Sequence, residues 1–186
     1  MRFDEFVARN GVAVSPVDRF DGFAVDVGAP PDWEPFDATV GVGARICRGD
    51  SSINEFCTNA VLTLHRVEVS LDAGEVFAML SEQQMQSVSG CHELHRELAA
   101  ATEGPGGAGT LVVRISHELG TIDSVSRSRI IPTEQATLIA QLTVTSLHDS
   151  TVDRQNIWLA VRQGAAGRSS AGFAGGAPAS RNRDGR

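Results

Sequence analysis

Three stretches in the second half of the chain, residues 110–117, 124–131 and 136–145, are β-branched or apolar and are separated only by short polar gaps. Runs of this length and make-up read as strands. With no room between them for a crossover helix, they must pair with reversal of direction at each turn, which predicts an antiparallel meander. Just upstream, Gly104-Pro105-Gly106-Gly107-Ala108-Gly109 is a turn that lets the chain reverse before the first of them. A sheet of this kind needs a second layer to cover its apolar face, and the rest of the sequence must supply it.

Residues 3–10, apolar at Phe3, Phe6 and Val7 and followed by Gly11, predict a short helix stopped by the glycine. Residues 12–17 and 23–27 carry β-branched residues at alternate places, as do 39–46 and 59–67, and all four are predicted strands. Between them, the three prolines of Ala29-Pro30-Pro31-Asp32-Trp33-Glu34-Pro35 predict a rigid turn that holds Trp33. A second helix starts at Asp72: Asp72 and Glu75 have capping-box spacing, Ala73, Val76, Phe77 and Leu80 trace one apolar face, and Ser89-Gly90 ends it. Residues 91–101 satisfy both periods, with strand preferred. A closing helix is expected from Ser150 or Thr151 and Asp153, with Ile157, Ala160 and Val161 as its buried stripe, Trp158 at its margin and Gly164 after its end.

The composition adds limits. The chain has 186 residues, 41% hydrophobic and 21% charged, enough for one domain with a core, and no run of apolar residues long enough for a transmembrane helix. All 16 cationic residues are Arg, which excludes Schiff-base chemistry and a phosphate-loop lysine. Residues 165–186 hold four Arg and one Asp among Gly, Ala and Ser, a tail of charge +3 expected to be disordered. The domain, residues 1–164, then carries twelve Arg against twenty-two acids, or −10, and nucleic acid is excluded as its partner. Met1-Arg2-Phe3-Asp4-Glu5-Phe6 is too acidic for a secretory signal, so a cytoplasmic protein is expected, with leaderless export as the alternative. Three cysteines, Cys47, Cys57 and Cys91, fit free thiols in a reducing compartment better than a Cys47–Cys57 bridge.

The short N-terminal helix, the Val-rich strand running into Pro30-Pro31-Asp32-Trp33, the strand around Ala60-Val61-Leu62-Thr63-Leu64, the capped helix and the closing unit at Leu138-Ile139-Ala140-Gln141-Leu142-Thr143-Val144 resemble one family. Over about residues 3–163 the chain is similar to the mycobacterial LpqN/LpqT lipoproteins. The resemblance implies a Mog1/PsbP-like α/β/α sandwich, with a largely antiparallel sheet of about six strands and helices on its faces. It brings no catalytic motif. Lipoproteins of this family carry a signal and a lipid-modified Cys, and here the first Cys is Cys47.

Few residues suggest chemistry. Cys91, Glu93 and His95 would share one face of a strand, but too few further ligands accompany them for a metal site, and a polar edge strand explains them. His65, His117 and His148 lack a Gly-x-Ser-x-Gly elbow to serve. Arg127 and Arg129 share a strand face and suit either an anion clamp or a solvent-facing stripe paired with carboxylates. Trp33 suits a partner anchor or a plug at the edge of the core. With Trp33, Arg127 and Arg129 as the candidate binding residues and no cofactor, the reading is a non-enzymatic binding or accessory module whose partner is a protein or small apolar ligand. The alternative is a carrier of an apolar or lipid ligand, or an enzyme, with a pocket between sheet and helix.

Overall fold

A computed structural model of the chain describes residues 1–50 and 56–164; the expected tail, 165–186, lies outside the described residues. In chain order the elements are α1 (Phe3–Asn10), β1 (Val14–Pro16), β2 (Phe23–Gly28), β3 (Trp33–Thr39), β4 (Val42–Cys47), β5 (Asn59–Val67), α2 (Ala73–Ser87), β6 (Cys91–Ala100), β7 (Gly107–His117), β8 (Gly120–Pro132), β9 (Thr137–Leu147), a 3-10 turn at Arg154–Asn156, and β10 (Trp158–Gln163). The main sheet runs β3-β4-β5-β9-β8-β7-β6, with β1 added beside β5, and every pairing is antiparallel. The expected meander is its right half.

The sheet has eight strands rather than about six. Part of the excess is β3. Prolines break a central ladder, but Pro35 sits in an edge strand, beside a bulge that leaves Phe36 unmatched between Pro35 and Asp37. The strand expected over 12–17 is present as β1, three residues long and paired with the end of β5.

Opposite faces of the sheet carry different layers. Helix α1 ends in Gly11 at φ 61°, whose N–H returns to the Val7 carbonyl. Helix α2 is capped by Asp72, whose carboxylate accepts from the N–H groups of Gly74 and Glu75 at 2.8 and 3.1 Å. Phe77, Val76 and Met79 of α2 pack with Phe3, Val67, Leu111, Val113, Ile130 and Ile139 on this side. Gly109 lies directly under the Phe77 ring, where any side chain would collide. Asp72→Ala should cost about 1 kcal/mol, read by urea unfolding, because both N–H groups lose their acceptor.

The other face is covered by a two-stranded ribbon instead of a helix. β10 pairs with β2 from Trp158 opposite Gly28 to Gln163 opposite Phe23, so the expected closing helix is a strand. Ile157 and Val161 are buried, as a helical stripe requires, but so are the inward positions of a strand, with Leu159 between them packed on the same core. A helix would have left the edge of β2 unpaired. The core on this side joins Val161 and Ile157 to Leu138, Ala140, Leu142 and Val144 of β9, Leu62 and Leu64 of β5, and Trp33.

A cleft between the ribbon and the sheet

The three sequence candidates are placed quite differently. Trp33 is 4% exposed and sits in the ribbon-side core beside Cys47, its cross-strand neighbour. It is the core plug, and its ring is not presented to a partner. Cys47 is equally buried; its thiol donates to the Asp32 carboxylate at 3.3 Å, and burial together with that negative charge pushes its pKa up to about 11. All three cysteines are free thiols.

Arg127 and Arg129 do share a face of β8, the ribbon side, but neither forms a solvent-facing stripe. Arg129 is 6% exposed. Its guanidinium donates to four backbone carbonyls: Gly107 at 3.3 Å, Glu103 at 2.7 Å, Pro105 at 3.4 Å and Val161 at 3.3 Å. Burial lowers its pKa, and the Glu103 carboxylate opposes that. The side chain therefore ties the β6–β7 turn to β10 and to the sheet below. Arg127 donates to the Arg154 carbonyl at 3.3 Å, while its Nη1 is buried without a hydrogen-bond partner among the described residues.

Above Arg129 opens a cleft of about 350 Å³, lined by Thr102, Glu103, Ala108, Arg129 and β10 from Trp158 to Arg162. β10 uses one edge for β2; its other edge runs beside the β6–β7 turn, where Gly104 lies against Val161 O and Gln163 N. Arg162 bridges the two walls, donating to Glu103 at 2.9 Å and pairing with Asp26 at 3.6 Å. Trp158 stands 45% exposed over Gly28, whose missing side chain leaves room for the ring. An aromatic ring, an exposed guanidinium and a carboxylate on a floor of Ala108 and Arg129 can stack a flat apolar body and pair an acidic group.

The expected triplet Cys91, Glu93 and His95 is split. A bulge between Glu93 and His95 places Glu93 opposite Val113 on the α2 side and His95 opposite Val112 on the ribbon side. One inserted residue reverses the alternation on which the shared face depended.

No family model matches the sequence, and no curated protein matches it. Among solved structures, the chain superposes on LpqN of Mycobacterium tuberculosis, described as involved in cell envelope biogenesis, with a TM-score of 0.66 over 80% of this chain and 87% of that one. The fold is that of LpqN. Identity between the two is 18%, so the likeness carries the architecture expected from the Pro30-Pro31-Asp32-Trp33 region and the order of elements, while residue roles rest on the geometry above. Like the LpqN fold it matches, the domain is a mixed α/β sandwich on an antiparallel sheet, and among the described residues no helix is long and apolar enough to cross a membrane.

The expected closing helix hides the cleft, because it does not set Trp158 and Arg162 along one side of an extended strand. The readable signal was the alternation of Ile157, Leu159 and Val161 with Trp158, Ala160 and Arg162.

Proposed function

We propose that this protein is a non-catalytic binding module on an LpqN-like fold, accessory to another protein's activity, and that it engages its ligand or partner segment in the cleft beside β10. The single observation that carries the reading is the pairing of an exposed indole, Trp158, with Arg162 and Glu103 above a buried guanidinium. These groups recognise: the indole stacks, and the Glu103 carboxylate in the lining is bonded to Arg162. A volume of about 350 Å³ suits a group the size of one or two rings bearing a carboxylate, whether free or at the end of a partner chain. The cleft lies on the ribbon side of the sheet, away from α1 and α2.

Phenylacetate is a suitable probe, followed by NMR at the indole N–H of Trp158 with the buried Trp33 as internal reference. A saturable shift of Trp158 alone is expected, and the affinity it reports should fall about tenfold in Arg162→Gln, the loss of one charge-assisted contact. Absence of any saturable shift at Trp158 and Arg162 with phenylacetate and with longer aryl carboxylates would sink the reading.

A further inference from the structure

At the opposite end of the same face of β8, six residues from Arg129, Asp123 is buried under a collection of cations. Arg114, its cross-strand partner on β7, donates through Nε at 2.8 Å and Nη2 at 3.3 Å. His148, just after β9, approaches through Nδ1 at 2.8 Å, and Arg154 of the 3-10 turn stands at 3.5 Å. Arg154 is itself aimed by a 2.6 Å bond to Ser146 Oγ. Asp123 Oδ2 thus faces Arg114 Nη2, His148 and Arg154 together, more donors than one carboxylate oxygen has lone pairs. Burial raises the Asp123 pKa, but the bonds from Arg114 and His148 outweigh it and hold the carboxyl below its ordinary value.

The imbalance extends outward. Arg127, on the same strand face, forms no ion pair among the described residues, and His92 of β6 lies directly opposite Arg114. His95 and Glu97, on the same face of β6, pair with each other at 3.4 Å, Asp149 follows His148, and the buried Asp50 accepts from Ser150 Oγ. Asp153 is turned to its own 3-10 turn, accepting from Gln155 N and Asn156 Nδ2. Asp123 exposes only 8% of its side chain, whereas Arg114 and His148 expose 36% and 44%. At Asp123 itself three donor side chains therefore meet one carboxylate, and two of them reach solvent.

We propose that Arg114, His148 and Arg154 form a binding site for a tetrahedral oxyanion, a phosphate- or sulfate-type group, on the ribbon side of the sheet and distinct from the cleft at Trp158. Donors converge from three separate elements, β7, the end of β9 and the 3-10 turn, which suits three oxygens pointing apart better than the planar pair of a carboxylate. The site does not depend on the cleft reading.

His148 Nδ1 lies 2.8 Å from Asp123 Oδ2 and 3.0 Å from Arg114 Nη2, so a single ring nitrogen is shared between the carboxylate and the guanidinium.

Sulfate tests this cleanly, because it is a tetrahedral dianion. NMR titration of the intact protein with sulfate should show saturable shifts at Arg114, His148 and Arg154. Arg114→Gln should weaken binding about tenfold. Asp123→Asn should strengthen it by releasing donors. Inorganic phosphate and methyl phosphate distinguish the source: equal affinities point to an esterified group, a preference for the inorganic ion to the free anion. No saturation by sulfate, unchanged affinity in Arg114→Gln with a preserved melting temperature, or acetate binding as tightly as sulfate would each overturn the assignment.

Discussion

Arg129→Met should destabilise the domain by about 3 kcal/mol, the largest loss expected from any single replacement at the cleft, because buried acceptors would lose their only cation. The methionine fills a similar volume but donates nothing. Four carbonyls, those of Gly107, Glu103, Pro105 and Val161, converge on the guanidinium, and three of them belong to the β6–β7 turn and the start of β7. Urea unfolding gives the free energy directly; in a thermal melt the same loss appears as a fall of roughly 6–12 °C for a domain of this size. The Trp158 N–H resonance should broaden or move, since β10 loses its tie to the turn through Val161. A loss under about 1 kcal/mol would mean that water replaces the guanidinium and that the turn holds its shape unaided.

Gly106→Ala should be nearly as damaging, for a backbone reason. Gly106 adopts φ +87°, which an alanine tolerates at a cost of about 1 kcal/mol. In addition, a methyl there would drive into the main-chain carbonyl of Ile130, which as part of β8 cannot rotate away. The two effects together should reach about 3 kcal/mol. Gly104→Ala is the matched comparison: its φ is +78°, but its nearest neighbour, the Val161 carbonyl, would sit at an ordinary 3.7 Å. That variant should lose only the conformational part, about 1 kcal/mol. Equal losses in the two variants would show that the Ile130 contact relaxes freely.

Much of the scaffold was legible because its signals are local. The glycine after Asn10, the Asp72 cap and the β-branched runs of β7, β8 and β9 each state their own conformation within a few residues. The β7–β8 hairpin even carries its register: with His117 opposite Gly120, Arg114 must meet Asp123 and Ala108 must meet Arg129. The anion-site pair was therefore implicit in a two-residue turn. The segment 157–163 was not readable in this way, since Ile157 and Val161 serve a helix and a strand equally until β2 is known to need a partner. The split of Cys91, Glu93 and His95 was hidden for a related reason: a bulge depends on how two strands meet, and β6 alone does not show it.

The residue types at the candidate sites, and the exclusion of lysine chemistry, belong to the sequence alone. So do the strand-rich architecture and the caps, because periodicity and backbone preference act over a few neighbouring residues. Burial and pairing over long separations were decided only by the tertiary structure. It turned Trp33 inward, spent Arg129 on four carbonyls contributed by the β6–β7 turn, the start of β7 and β10, and brought His148 and Arg154 to Asp123 across chain separations of 25 and 31 residues. Whether an arginine binds a ligand or its own backbone depends on which acceptors the fold carries to it, and those acceptors are remote in the chain.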